Sequence, residues 1–132
     1  MKKTIILLVL ILINSCSSSK TSTQTNDQDK SVIANSDIEN GKKLFSLSCT
    51  ACHLDDGGGL IGPNLTDAYT ISGCSFEEIA TVIAKGTPNK GMYAWEQILN
   101  KKEILQLTSY IISLKGTTPK QPKHPEGELC SE

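Results

Sequence analysis

Two cysteines and a histidine stand together in the stretch Cys49-Thr50-Ala51-Cys52-His53. This C-x-x-C-H spacing is typical of the attachment site of a c-type haem. Side chains three apart on one helical turn lie on the same side, so both thiols can form thioether bonds with the two vinyl groups of one porphyrin. The imidazole that follows can then bind the iron. The motif therefore predicts one covalent haem c on Cys49 and Cys52, with His53 as an iron ligand.

Two other chemistries use a C-x-x-C pair. A structural zinc ion needs four nitrogen or sulfur ligands, usually in two close pairs. Beyond the N-terminal segment the chain adds only Cys74, Cys130 and His124, which are scattered along the sequence. A thioredoxin-like pair needs a βαβ context, and no strand-like alternation flanks this motif. Zinc binding and thiol redox chemistry are the weaker alternatives.

Met92 is the candidate for the second axial ligand. The chain has two methionines, and Met1 belongs to a segment that is predicted to be an export signal. Met92 lies in a turn-rich loop that could place its sulfur on the haem face opposite His53. The alternatives are a gap-filling core methionine and ligation by His124. His/Met ligation raises the reduction potential and leaves no open iron site for a substrate, which favours electron transfer over catalysis.

Two further residues have predicted supporting roles at the haem. A metal-binding histidine is usually fixed through its other ring nitrogen, often by a backbone carbonyl, and Pro63 is placed to offer one to His53. The alternative for Pro63 is an ordinary turn. Trp95 is expected to donate its indole N–H to a haem propionate, since a buried indole usually finds a partner. Simple packing of Trp95 is the alternative, and Tyr69 is a weaker candidate for the same contact.

Three helices are expected to position these residues. The first begins at Ser36, with Glu39 completing a capping box, and leads into the haem motif. The second and third begin with the pairs Ser75/Glu78 and Asn100/Glu103 and carry apolar stripes at helical spacing. A glycine inside a helix is costly, so Gly41 predicts a close helix crossing. That crossing would let Phe45 meet Tyr110.

The N-terminus resembles a bacterial lipoprotein signal. Residues 1–15 contain a charged start and a short apolar run, and Cys16 is the expected lipidation site. The alternative is an ordinary signal peptide with an incidental cysteine. Residues 16–35 are too polar to bury a core and are expected to form a flexible tether. The predicted location is the bacterial cell envelope, facing the periplasm and anchored to a membrane by lipid.

The rest of the chain is expected to hold one small domain and a tail. Residues 36–116 would form the domain, for which a covalent cofactor offsets the small core. Residues 117–132 would lie extended on its surface, and Cys74 and Cys130 form a candidate disulfide. The glycine-rich stretch 55–59 is expected to be a flexible turn rather than a calcium loop. Thirteen basic residues face fourteen acidic ones, which argues against a nucleic-acid partner.

Together these residues resemble class I cytochromes c. The resemblance is carried by Gly41, Phe45, Cys49-x-x-Cys52-His53, Gly62-Pro63-Asn64-Leu65, Gly91-Met92 with Ala94-Trp95, and Tyr110. Pro63 to Asp67, the Gly91–Trp95 stretch and the tail 116–128 look like the last cytochrome domain of the dihaem subunit of C-family haem–copper oxidases. The chain departs from that subunit in having one haem motif, Tyr93 where proline is usual, and no transmembrane helix in its mature form.

The resemblance implies an all-α fold of about three main helices around one haem c. It implies Cys49, Cys52, His53 and Met92 as the haem-binding set, with Pro63 in support. It also implies single-electron transfer, rather than enzyme catalysis, between membrane-bound partners: a quinol-oxidising complex, a terminal oxidase or another reductase. Two alternatives stay open: a haem-based gas or redox sensor with a labile Met92, and a fixed cytochrome subunit of a terminal oxidase complex.

Overall fold

We describe the protein from a computed structural model, in which residues 27–130 are described, with side chains from residue 37 onward. Four helices carry the described fold: α1 (Asp27–Ser48), α2 (Thr50–His53), α3 (Phe76–Lys85) and α4 (Lys101–Ser113). Two-residue strands β1 (Tyr69–Thr70) and β2 (Glu128–Leu129) pair antiparallel. Short 3-10 turns at Pro88–Lys90 and Trp95–Gln97 connect α3 to α4. The all-α prediction, with three main helices, is confirmed.

Helix α1 corrects one boundary from the sequence. It begins at Asp27 rather than at Ser36, so residues 27–35 are helical. A capping preference does not end a helix that already runs through it, and 27–40 contains no proline or glycine to interrupt it. The signal segment, Cys16 and residues 17–26 lie outside the described part of the chain. Within that part, no helix combines the length and apolar character needed to cross a bilayer.

Helices α3 and α4 begin where the sequence predicts. Ser75 accepts a hydrogen bond from the Glu78 N–H at 3.2 Å, and Glu78 Oε2 accepts from the Ser75 N–H at 3.0 Å. Asn100 and Glu103 form the same reciprocal pair at 3.1 and 2.8 Å. Each box satisfies backbone donors that would otherwise have no partner in the first turn. These caps fix the N-terminal ends of α3 and α4.

The core lies where α1 crosses α4. A side chain at Gly41 would collide with the backbone of Gln106 and with Cβ of Tyr110, so the crossing depends on glycine. Phe45 and Tyr110 meet edge to face with ring centroids 5.2 Å apart, as predicted. The buried hydrophobic side chains are Phe45, Ile83, Ile104, Leu107, Tyr110, Ile111 and Leu114.

The C-terminal tail is extended, but it is fastened to the domain rather than simply lying on its surface. Pro119 is buried, and the Lys123 N–H donates to the Gly58 carbonyl at 2.8 Å. Strand β2 pairs with β1, and Cys130 forms a disulfide with Cys74 with 5.6 Å between the Cα atoms. The candidate disulfide is therefore present in the structure.

Candidate haem site

The C-x-x-C-H motif occupies the single turn of α2, directly after α1. The Cys49 N–H donates to the Phe45 carbonyl at 2.9 Å, which continues the hydrogen bonding of α1 into the motif. Leu54 then takes a left-handed conformation (φ 63°) and ends the turn. The chain folds back so that the Leu60 and Gly62 N–H groups both donate to the Cys52 carbonyl, at 3.0 and 2.9 Å. The stretch 55–59 thus belongs to a hydrogen-bonded loop around the motif.

The His53 ring is held on two sides. Its Nδ1 donates to the Pro63 carbonyl at 3.0 Å, since a carbonyl can only accept, and this matches the predicted contact. Gly62 lies so close to the ring that an added Cβ would be 2.5 Å from Cε1 and 2.8 Å from Nε2. Burial lowers the pKa of His53 and the Pro63 hydrogen bond opposes that effect. A neutral imidazole with Nδ1–H engaged leaves Nε2 as the nitrogen that can bind a metal.

A cavity of about 390 Å³ brings the predicted residues together. Its walls include Cys49, Cys52, His53, Pro63, Met92 and Trp95, and also Tyr69. The remaining wall is largely apolar and includes Ile79 and Ile83 of α3 and Leu107 and Ile111 of α4. His124 is exposed and is absent from this lining. The cavity therefore groups the cysteines, one imidazole and one thioether around apolar space.

The two motif cysteines differ from the other described pair. Cys49 and Cys52 are free thiols, whereas Cys74 and Cys130 are joined. Burial, with a smaller contribution from Cys52, raises the pKa of Cys49 to about 11, so its thiol stays protonated at neutral pH. The disulfide also uses the two sulfurs that a four-ligand zinc site at Cys49 and Cys52 would require. Within 27–130, no group of three or more His, Cys, Asp or Glu side chains is arranged to hold a metal ion.

Met92 is held by a tight backbone pairing with Thr87. The two residues exchange backbone hydrogen bonds of 3.0 and 3.2 Å, and the Thr87 hydroxyl donates to the Met92 sulfur at 3.8 Å. Gly91 closes the turn with φ 83°. Gly86 is packed against the Tyr93 and Met92 backbones, where a Cβ would be 2.5–2.6 Å from them. The segment that carries the predicted ligand is thus fixed by backbone contacts.

Several residues of the cavity wall could not be predicted from the sequence. Lys115, Glu126 and the disulfide residues Cys74 and Cys130 all line it. No motif marks them, because Cys74 lies just before α3, Lys115 follows α4, and Glu126 and Cys130 come from the tail. The pairing of β1 with β2 and the Cys74–Cys130 disulfide join the tail to this region of the domain. The candidate disulfide was the one sequence feature that hinted at this.

These residues fit a c-type haem. Two free thiols for thioether bonds, an imidazole with a free Nε2 and a thioether sulfur form the donor set that such a haem uses. They line a largely apolar space, as the faces of a porphyrin require. No other group of the described residues combines these donors.

Comparisons with known proteins agree with this chemistry. The family described as "Cytochrome C oxidase, cbb3-type, subunit III" matches residues 36–111. The chain is 35% identical over 83 residues to the cbb3-type cytochrome c oxidase subunit FixP of Bradyrhizobium diazoefficiens, covering 61% of this chain and 28% of that protein. It is 30% identical over 79 residues to cytochrome c6 of Euglena viridis, covering 55% of this chain and 87% of that protein.

A solved structure is also similar. The crystal structure of cytochrome cL from Methylophaga aminisulfidivorans matches with a TM-score of 0.53 at 26% identity, covering 60% of this chain and 55% of the other. The chain spans 28–38% of the length of the oxidase subunits that it matches. The shared part is the cytochrome c domain, whose cofactor is one covalently bound haem c and whose chemistry is electron transfer. The chain therefore belongs to the cytochrome c family that is described as cbb3-type cytochrome c oxidase, subunit III.

Proposed function

We propose that this chain is a membrane-tethered carrier of single electrons. Its haem c is attached to Cys49 and Cys52, and its iron is bound by His53 and Met92. The observation that carries the proposal is the cavity that groups these four side chains. The bound haem supplies an iron that changes between two oxidation states.

Each of these residues then has a defined task. The Pro63 carbonyl holds the Nδ1 proton of His53 at 3.0 Å and so sets the tautomer and the ring orientation. The Met92 sulfur would be the second protein ligand of the haem iron and would keep water and small ligands from it. Trp95 lies on the same wall, and we assign to it an indole hydrogen bond to a propionate. With His53 and Met92 both holding the iron, the site would suit electron transfer rather than binding of a substrate.

Anchoring at Cys16 would confine the domain to a bacterial membrane, facing the periplasm. Confinement near a surface raises the effective concentration of a tethered domain for its partners. The relatives named as oxidase subunits support a terminal oxidase as one partner, and a quinol-oxidising complex is the corresponding electron source. No nucleic acid takes part.

The test of ligation is the absorption spectrum of the protein matured in a periplasm. We expect sharp c-type bands on reduction, a charge-transfer band of the Met-ligated oxidised iron, and no change when carbon monoxide is added. The variant Met92→Ala should lose the charge-transfer band and bind carbon monoxide. A wild-type spectrum that responds readily to carbon monoxide would instead indicate a gas sensor with a labile ligand, and absence of haem would reject the proposal.

The test of anchoring uses Cys16→Ser in the full chain. We expect the wild-type protein to sediment with membranes until detergent is added. The variant should be released in soluble form or accumulate as an uncleaved precursor, with the same haem spectrum. If both proteins have the same mature mass and fractionate alike, the lipid anchor is wrong.

A fixed oxidase subunit is the second candidate, favoured by the family match over residues 36–111. Gentle solubilisation of membranes distinguishes it from a mobile carrier. A fixed subunit co-purifies with an oxidase at constant stoichiometry in moderate salt, whereas a carrier separates from it.

A further inference from the structure

Lys115 is a lysine in the wall of an otherwise largely apolar cavity. It follows the last turn of α4, and its ammonium donates to the Asp67 carbonyl at 2.7 Å. The next residue, Gly116, donates its N–H to the Thr66 carbonyl at 2.7 Å. Both contacts tie the end of α4 to the segment after Pro63. The stem of Lys115 therefore has a fixed position rather than that of a free surface lysine.

The charged groups near Lys115 leave it available for an anion. Three side chains of the cavity wall carry charge: Lys90, Lys115 and Glu126. Glu126 is paired with Lys123 at 2.9 Å, and Lys90 is exposed in its turn. An ammonium has three donors, and the Asp67 carbonyl uses one of those of Lys115. Burial lowers the pKa of Lys115 and the nearby Asp67 carboxylate opposes that effect.

Asp67 is itself incompletely paired. Its Oδ1 accepts from the Tyr69 N–H at 2.9 Å, while its Oδ2 is buried without a hydrogen-bond partner in the described structure. A buried carboxylate oxygen without a donor is costly unless a positive charge is nearby. The Lys115 ammonium is that charge. The two opposite charges therefore lie near each other, joined by the hydrogen bond from the Lys115 ammonium to the Asp67 backbone carbonyl.

We propose that Lys115 binds a propionate carboxylate of the haem, and that the Lys115–Asp67 pair sets the reduction potential of the site. The inference rests on the proposed haem attachment at Cys49 and Cys52. A carboxylate is the anionic group that a haem brings into such a cavity, and an ammonium with free donors forms a charge-assisted hydrogen bond with it.

The electrostatic consequence has a definite sign. Oxidised haem carries one more positive charge than reduced haem, so a nearby cation favours the reduced state and a nearby anion favours the oxidised state. Removing the Lys115 charge must lower the reduction potential. Removing the Asp67 charge must raise it. A general loosening of the domain would move both variants in the same direction.

The experiment compares midpoint potentials of the purified holoprotein at one pH and ionic strength. At a fixed applied potential, we expect Lys115→Met to lower the ratio of reduced to oxidised haem about threefold to tenfold; tenfold corresponds to about 59 mV for one electron. Lys115→Arg keeps the charge and should stay near wild type. Asp67→Asn, which preserves shape, should raise the ratio. Lys102→Met, at an exposed position of α4, is the matched control.

A second readout reports on the propionate itself. The propionate-bending band in the resonance Raman spectrum should shift in Lys115→Met and stay unchanged in Lys102→Met. If Lys115→Met keeps both the wild-type potential and the wild-type band, the inference is wrong while the proposed function stands. If Lys115→Met does not retain haem, Asp67→Asn decides: a raised potential supports the pair, and an unchanged potential rejects it. Wild-type protein without haem would reject the proposed function instead.

Discussion

At the scale of single residues, the contacts behind His53 set the geometry of the site. The imidazole has the Pro63 carbonyl on Nδ1 and Gly62 against its ring. The hydrogen bond orients the ring, and the glycine leaves the space that this orientation needs. The pair Gly62-Pro63 therefore acts as one support for His53, the proposed iron ligand.

The variant Gly62→Ala tests that support. Its Cβ would meet the His53 ring at 2.5–2.9 Å, so the ring or the loop must move. We expect a loss of about 1–3 kcal/mol in stability, as for other overpacked sites, together with a changed haem spectrum and midpoint potential. Denaturant titration and spectropotentiometry measure both effects.

Gly116→Ala is the control for destabilisation alone. Gly116 also has a positive φ of 78°, but an added Cβ there meets open space. We expect this variant to lose stability and keep the wild-type spectrum. If Gly62→Ala also keeps the wild-type spectrum, Gly62 does not determine the orientation of the His53 ring.

Contacts that a motif or a recognisable residue type marks could be predicted from the sequence, and contacts without such a mark could not. The Pro63 contact with His53 follows from general rules for metal-binding histidines and from a separation of ten residues. The contact of Lys115 with Asp67 joins residues 48 apart and has no motif. It depends on where α4 ends relative to the segment after Pro63, which only the packed structure defines.

At the scale of elements, the crossing of α1 and α4 is the main constraint. Gly41 lets the backbones approach, and Phe45 and Tyr110 pack beside it. The sequence predicts this crossing because a glycine inside a helix is otherwise unfavourable. The prediction of the start of α1 rested instead on a capping pattern, and it was wrong. Ser36 and Glu39 form a pattern that also occurs inside a helix. The capping patterns at Ser75 and Asn100 did mark helix starts, so such a pattern locates a start only where the chain before it is not itself helical.

The variant Gly41→Ala should be strongly destabilised. Its Cβ would enter the space of the Gln106 backbone and Tyr110 Cβ, and backbone atoms cannot rotate away. We expect a loss of about 3 kcal/mol in the free energy of unfolding, although alanine has the higher helix propensity. Asn40→Ala, at the exposed neighbouring position, is the control and should be neutral or slightly stabilising. Gly41→Ala with wild-type stability would contradict the close crossing.

A carboxylate joins the loop after α2 to the tail. Asp56 accepts from the Gly58 N–H at 3.1 Å and from the Lys120 N–H at 3.0 Å, and these hydrogen bonds lower the pKa of Asp56. Because the folded pKa is below the unfolded value of about 3.9, this contribution to stability is present above that value. It is lost as the pH falls through the folded pKa.

We expect Asp56→Asn to be less stable than wild type at neutral pH, with a difference that disappears in acid. Protection of the Lys120 amide from hydrogen exchange should follow the same pattern. A difference that persists unchanged well below the folded pKa would show that the carboxylate charge is not the cause. Asp55→Asn, at the exposed preceding residue, is the matched control.

At the scale of the whole molecule, the tail completes the domain. It contributes Glu126 and Cys130 to the cavity wall and pairs β2 with β1. These residues lie beyond 111, where the family match ends. The fold class could be predicted from caps and stripes because those are local. The closing of the cavity by the tail could not, apart from the disulfide, because it depends on contacts across most of the domain.

The double variant Cys74→Ser/Cys130→Ser tests how much the disulfide stabilises the attachment of the tail to the domain. The two cysteines are separated by 56 residues, and a loop of that size predicts a loss of up to about 4 kcal/mol by chain entropy. We expect lower stability in denaturant and faster hydrogen exchange of the Cys130 amide, which donates to the Ala68 carbonyl at 2.8 Å. Wild-type protein treated with a dithiol is the matched comparison and should behave like the variant. Equal stability of the oxidised protein and the variant would mean that the remaining tail contacts suffice.

The start of α1 at Asp27 limits how far the site can reach from a membrane. Ten residues, 17–26, separate Cys16 from the helix, and they span at most about 40 Å when fully extended. The 22 residues of α1 add about 33 Å along its axis. A chain anchored at Cys16, as proposed, would therefore deliver electrons only within a layer of about 70 Å above the lipid. Partners whose electron-accepting groups stand higher than that layer would be out of range, however well their surfaces matched.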